Sequence, residues 1–138
     1  MENKKDIRDL QNVLIEMIAY IDKVCRENDI MYYLYGGTAL GAVRHKAFIP
    51  WDDDLDIIMT LENFEKLKKA LEKENNEKYF LQEWHIAGSK NIEYAKLRKN
   101  GTAFIEKSFM NRKDLHQGIF VDIFILHKFF DKVRWIYL

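Results

Sequence analysis

Cysteine, proline and net charge are what this chain has least of. A single cysteine, Cys25, excludes an internal disulfide. Placed on the apolar face of an expected helix, it reads as a buried structural thiol rather than a nucleophile. The single proline, Pro50, breaks the chain just before Trp51. Lys plus Arg and Asp plus Glu balance at 22 each, so no global field draws the protein to nucleic acid or to a membrane, and any electrostatic function is local. No apolar run is long enough to span a bilayer. The charged stretch Met1 to Leu10 has no hydrophobic segment of the signal-peptide kind. A cytoplasmic protein is expected. Internal repeats and low-complexity segments are also missing.

What is present is a core. The hydrophobic fraction of 48% suits one compact domain over residues 1–138. Ile7, Leu10, Leu14, Met17, Ile18, Ile21 and Cys25 recur at three- and four-residue steps, which predicts an amphipathic helix from about Asp6 to Asn28. Met31 to Tyr35 reads as a buried strand stopped by Gly36-Gly37. Thr38 to Arg44 reads as a short helix capped by Thr38. Asp54 to Met59 reads as a strand, and Thr60 caps a helix that turns Leu61, Phe64, Leu67 and Leu71 to one side. Tyr79–Trp84 and Ile92–Lys99 are further strands, with Asn100-Gly101 as a hairpin turn into Thr102–Glu106. Gly118 to Leu126 is apolar on both faces and is expected at the centre of the sheet. Phe129 to Leu138 begins a last helix whose apolar surface needs cover, from this domain or from a second copy in a homodimer. Its few cations make membrane contact the weaker option. The fold class is α/β, with a mixed sheet and an N-terminal helix.

Four features carry chemistry. A glycine pair after a strand lets backbone amides approach a phosphate at a helix start, so Gly36, Gly37 and Thr38 are candidate phosphate binders. Taken alone, such a pair is an ordinary tight turn. Asp54 and Asp56 stand two apart on a strand and so project from the same face. Two close carboxylates repel unless protonated or neutralised, and a divalent cation with oxygen ligands, Mg2+ above all, relieves that. A solvated acidic turn is the plainer alternative, which the spacing on an apolar strand argues against. Asp122 is the lone charge between Gly118 and Leu126. It is a candidate third ligand or a base, or else the partner of a buried Arg or Lys. Among the cations, Arg44, His45 and Lys46 precede the acidic strand, and Lys96 and Arg98 share a face of a later one. Taken singly, each is an ordinary solvated surface charge; as a cluster, Arg44 and Lys96 foremost and Arg98 beside them are candidates to neutralise substrate phosphate. His85, His116 and His127 show no zinc-like spacing with Cys25.

Gly36 to Ile57, GGTALGAVRHKAFIPWDDDLDI, closely resembles the signature of the LicD family of phosphocholine transferases, a pattern similar to that of fukutin-related proteins. The resemblance runs from about Tyr33 to Phe124. It takes in Lys96–Thr102, KLRKNGT, and the carboxylate of GIFVDIF at Asp122. Family members usually continue that last strand into a Pro-Leu-Asp-like segment, where this chain has Ile125-Leu126-His127. They also carry a longer C-terminal half that shapes the acceptor site. The resemblance implies a nucleotidyltransferase-like mixed sheet flanked by helices. It implies Mg2+ held by Asp54, Asp56 and Asp122, and a cytidine diphosphate (CDP)-alcohol donor. It also implies transfer of phosphocholine or a similar phospho-substituent to a glycan or glycolipid acceptor of the cell surface, at the inner face of the membrane. Two other readings stay open at this level: a nucleotidyl transferase of the toxin–antitoxin kind, and a non-catalytic nucleotide-binding homologue.

Overall fold

The computed structural model describes residues 4–128. Helix α1 (Lys4–Glu27) opens the chain, followed by strand β1 (Tyr33–Leu34), helix α2 (Gly36–His45) and strand β2 (Asp56–Thr60). Helix α3 (Leu61–Glu74), strands β3 (Tyr79–His85) and β4 (Ile92–Lys99), a short 3-10 turn at Lys107–Phe109 and strand β5 (Phe120–Leu126) complete it. The five strands form one sheet in the order β1-β2-β5-β4-β3. β2 and β5 run parallel and every other pair is antiparallel. This is the expected mixed α/β architecture, with the most apolar strand third of five. None of the described helices is long and apolar enough to cross a membrane. The last expected helix, Phe129 to Leu138, lies outside the described residues.

One face of the sheet holds the core. Alternation along the strands sends Leu55, Ile57, Met59, Val121, Ile123, Ala95 and Leu97 to the same side. There they meet Leu14, Met17, Ile21, Val24 and Cys25 of α1 and Phe64, Leu67 and Ala70 of α3. Burial pushes the Cys25 thiol up to about 12, which makes it inert as a nucleophile. Thr60 caps α3 as expected, its hydroxyl accepting from the Asn63 amide.

Three local expectations are corrected. The stretch Met31–Tyr35 is not a buried strand: only Tyr33 and Leu34 pair, and they are 57% and 39% exposed. They form the sheet edge, pairing with β2 on one side only. Thr38 does not cap α2. The helix begins at Gly36 with Tyr35 as its cap residue and no side-chain cap bond, and the Thr38 hydroxyl instead accepts from the Asp56 amide at 2.9 Å. Asn100-Gly101 makes a turn, Gly101 at φ +74°, but no strand follows at Thr102–Glu106. The reason is topological, since β4 already pairs with β3 on one side and β5 on the other. No edge is left for a returning strand. The segment from 102 to 117 runs over the sheet instead, its Phe104 packing edge-on to Phe120.

The position of α2 depends on Gly41. A Cβ there would lie 2.7 Å from the Ala47 carbonyl oxygen and 2.8 Å from the Ile49 nitrogen, backbone atoms that cannot rotate away. Alanine gains about 1 kcal/mol of helix propensity over glycine, whereas overpacking costs about 1–3 kcal/mol. The clash is with backbone, so the second effect wins. Gly41→Ala is expected to lower stability by up to about 2 kcal/mol in chemical denaturation, and an increase would show that residues 47–49 yield freely.

Candidate active site

The second face of the sheet is organised in rows, because residues paired across strands project to the same side. The central row is charged. Asp56 on β2 pairs in register with Asp122 on β5, Asp122 with Lys96 on β4, and Lys96 with Gln82 on β3. The neighbouring row is aromatic and apolar: Tyr33, Ile58, Phe124, Tyr94 and Trp84. Two carboxylates are thus held side by side on parallel strands by the backbone ladder itself.

Several contacts fix the approach to that row. The Tyr35 amide donates to the Asp56 carbonyl and the Asp122 amide to the Leu55 carbonyl, both at 3.0 Å. The Thr38 bond to the Asp56 amide ties the first turn of α2 to the start of β2. Gly36 adopts φ +56°, a conformation that disfavours side chains, and a Cβ there would sit 3.4 Å from Asp56 Oδ2. At Gly37 a Cβ would sit 3.1 Å from Asp52 Oδ2. The glycine pair therefore packs directly against the carboxylates and leaves their oxygens uncovered. Gln11 of α1, buried at this point, donates to the Asp52 carbonyl at 2.8 Å and holds the acidic loop from beneath.

Electrostatics reflect the crowding. Burial, then the charges of Asp54, Asp122 and Asp52, push Asp56 up to about 7. Burial, then a hydrogen bond and charge from Asp52, raise Asp54 to about 6. Burial also raises Asp122, against the pull of Lys96. Lys96 Nζ lies 2.7 Å from Asp122 Oδ1, so the alternative of a buried lysine partner for Asp122 is realised alongside its closeness to Asp56. A site of this kind holds negative charge at a cost, and a hard cation removes that cost.

The sequence-based candidates separate accordingly. Gly36 and Thr38 meet Asp56, Gly37 meets Asp52, and Asp56, Asp122 and Lys96 share one row; Asp54 lies just before β2, its oxygens grouped with those of Asp52 and Asp53. Arg98 is corrected: it is 1% exposed, its guanidinium donating to Gln82 Oε1 and the Gly118 carbonyl, so it ties β4 to β3 and to the lead-in to β5 rather than facing a ligand. Arg44 lies in the last turn of α2, at the opposite end of that helix from the glycine turn. Three residues were missed, Asp52, Asp53 and Glu106. Oxygens of Asp52, Asp53 and Asp54 lie within 4.8 Å of one another, and the triple aspartate was visible in the sequence as a run. Glu106, 3.4 Å from Lys96 Nζ, has no local signal, because a loop that crosses the sheet brings it there.

The donor set is all carboxylate oxygen, which suits Mg2+, Mn2+ or Ca2+ rather than a softer metal. With the uncovered oxygens at Gly36 and Gly37 and the raised carboxylates, the residues fit a divalent cation.

Residues 29–135 match the model of the LicD/FKTN/FKRP nucleotidyltransferase domain. The lipopolysaccharide cholinephosphotransferase LicD of Haemophilus influenzae is 38% identical over 76 residues, 55% of this chain and 29% of that protein. The ribitol 5-phosphate transferase FKRP of Homo sapiens is 42% identical over 60 residues, 41% of this chain and 12% of that protein. An uncharacterised Rickettsia prowazekii protein, RP689, is 46% identical over 44 residues, 32% of this chain and 16% of its own. In each case the matched stretch is less than a third of the relative's length. The family match takes in the glycine turn, the acidic strand and the Asp122 strand together, and the chain belongs to the LicD/FKTN/FKRP nucleotidyltransferase family.

Proposed function

We propose that this chain carries the donor-binding and metal-binding part of a transferase that moves phosphocholine, or a similar phospho-substituent, from a CDP-linked donor to a hydroxyl of a cell-surface glycan or glycolipid precursor. The observation that carries the reading is the register of Asp56 against Asp122 beneath an uncovered glycine turn. Relatives named for cholinephosphate and ribitol 5-phosphate transfer support the class of group moved. Action on the cytoplasmic side of the membrane is part of the same proposal.

In this reading Asp54, Asp56 and Asp122 hold Mg2+, with Asp52 close enough to join them. The ion would supply charge neutralisation at the donor diphosphate. The amides of Gly36, Gly37 and Thr38 lie in the first turn of α2, where helix geometry provides no acceptor, and they receive phosphate oxygens. Thr38 acts through its hydroxyl, holding β2 and the helix start at one spacing. The half-buried row of Phe124, Tyr94 and Trp84 beside the charged row limits water on that side. Asp122, half-buried and flanked by Lys96, either completes the ligand set or accepts the proton of the attacking hydroxyl. The chemistry is then mainly positioning and charge compensation.

The direct test is incubation with CDP-choline or CDP-ribitol, a glycan acceptor and Mg2+, with 31P NMR of the products. Cytidine monophosphate release is expected. Pyrophosphate release from CTP would instead indicate nucleotidyl transfer, and no donor binding at all would overturn the reading. Asp56→Ala should keep its fold and lose about a hundredfold or more of Mg2+-dependent release.

The raised carboxylates give a pH signature as well. Asp56 moves from its ordinary 3.8 to about 7 on folding, so the folded state holds this proton more tightly than the unfolded chain. Its contribution to stability is full below about pH 4 and is lost as pH rises through 7. Without metal, Asp56→Asn should therefore match the wild type at pH 4 and exceed it at pH 8 by about 1 kcal/mol, allowing for solvent screening. Millimolar Mg2+ at pH 8 should close the gap by stabilising only the wild type. Thermal melts at the two pH values, with and without Mg2+, decide it, and an Asp56→Asn protein that is less stable at pH 8 in the absence of metal would refute the assignment.

A further inference from the structure

We propose that Lys96 is a positioning residue that stands in for a divalent cation at Asp122 and shifts to Glu106 when the cation binds; the inference rests on the metal reading above. Lys96 and Asp122 are cross-strand partners, with Nζ 2.7 Å from Oδ1. The Lys96 side chain is 5% exposed, so its charge depends on protein groups rather than water. It lies 3.6 Å from the centroid of the Phe120 ring and 3.4 Å from Glu106 Oε1. That second carboxylate is incompletely served. Glu106 Oε2 is buried without a hydrogen bond, and Arg98 Nη2 stands 3.8 Å away. Arg98 is not free to close that gap, because its Nε and Nη1 are committed to Gln82 and Gly118. One ammonium therefore has a short partner and, beside it, a second acceptor with capacity to spare.

Loading of the site drives the shift in one direction. A divalent ion on Asp56 and Asp122 takes up the negative charge that Lys96 was compensating and sets two positive charges close to Nζ. A buried ammonium left unpaired is strongly unfavourable. Glu106 offers the compensation at 3.4 Å already, reached by small torsional changes in the lysine stem. In the metal-free protein the same ammonium keeps Asp122 from facing Asp56 as a second bare charge. Lys96 thereby competes with the cation for Asp122, and Glu106 makes that competition reversible.

The experiment is a Mn2+ titration of the whole chain without nucleotide, read by electron paramagnetic resonance of free Mn2+, with melting curves alongside. Lys96→Met should bind Mn2+ roughly tenfold more tightly, and Glu106→Gln roughly tenfold more weakly. Lys96→Met should also melt below the wild type without metal and recover with it. The deciding measurement is the double variant. If Glu106 acts by receiving Lys96, Glu106→Gln has no further effect on Kd once Lys96 is methionine. An equal weakening in both backgrounds means Glu106 acts through space and overturns the handover, as does an unchanged Kd in Lys96→Met. Should Lys96→Met fail to fold, Glu106→Asp substitutes for it. A shorter carboxylate keeps the charge but withdraws from Nζ, so weaker binding supports the handover and wild-type binding overturns it. The metal reading is judged separately: if Asp56→Asn binds Mn2+ as the wild type does, that reading falls and the handover with it.

Discussion

Parallel pairing of β2 with β5 brings two carboxylates into register, Asp56 against Asp122, on a sheet face where burial already disfavours charge. That juxtaposition is what the surrounding structure accommodates. The Asp122 side is met by Lys96, paired to it across the opposite strand edge. The Asp56 side has no cation in register. There it meets Tyr35 and the start of α2, and burial first, then the charges of the neighbouring aspartates, raise its carboxyl to about 7. The asymmetry gives the two aspartates different environments although they are neighbours: one compensated within the protein, the other dependent on what binds.

The glycines follow from the same constraint. A side chain at Gly36 or Gly37 would press on carboxylate oxygens, and Gly41 lets the same helix settle against the backbone of residues 47–49. Three glycines in six positions are costly for a helix of ten residues. They are tolerated because α2 is held at its first turn through Thr38 and at Gly41 by close backbone contact, rather than by intrinsic propensity. Packing decides where this helix lies, and the lie of the helix decides how open the acidic strand is.

Local pattern made much of this legible. The three- and four-residue steps from Ile7 to Cys25 identified α1 within two residues at its start and one at its end. The apolar run at Gly118–Leu126 announced the central strand, whereas β2 begins only at Asp56, so Asp54 precedes the strand and the two-residue spacing does not by itself set its direction. What escaped was whatever depends on pairing partners. The Asn100-Gly101 turn looked like a hairpin because a sequence window does not reveal that β4 is already enclosed on both sides. Met31–Tyr35 looked buried because aromatic content does not distinguish an edge from a centre. Arg98 and Lys96 are two apart on one strand and looked equivalent. Register gives one of them Asp122 and the other Phe120, and only the first borders the carboxylates. Glu106 reaches Lys96 by a loop crossing, for which no periodicity exists.

Gln11 carries a consequence for where the working unit begins. The family match starts at residue 29, yet the Gln11 amide holds the carbonyl of Asp52, and Leu14, Met17 and Ile21 of the same helix belong to the core on which the sheet rests. The first helix, which precedes the recognisable family region, is therefore part of the architecture of the site. A fragment cut at the family boundary would retain the carboxylates and glycines while losing both the tether of the acidic loop and one wall of the core beneath it. Among distant relatives, the segment to compare with α1 is whichever one supplies a buried amide beneath the acidic loop, whatever its sequence.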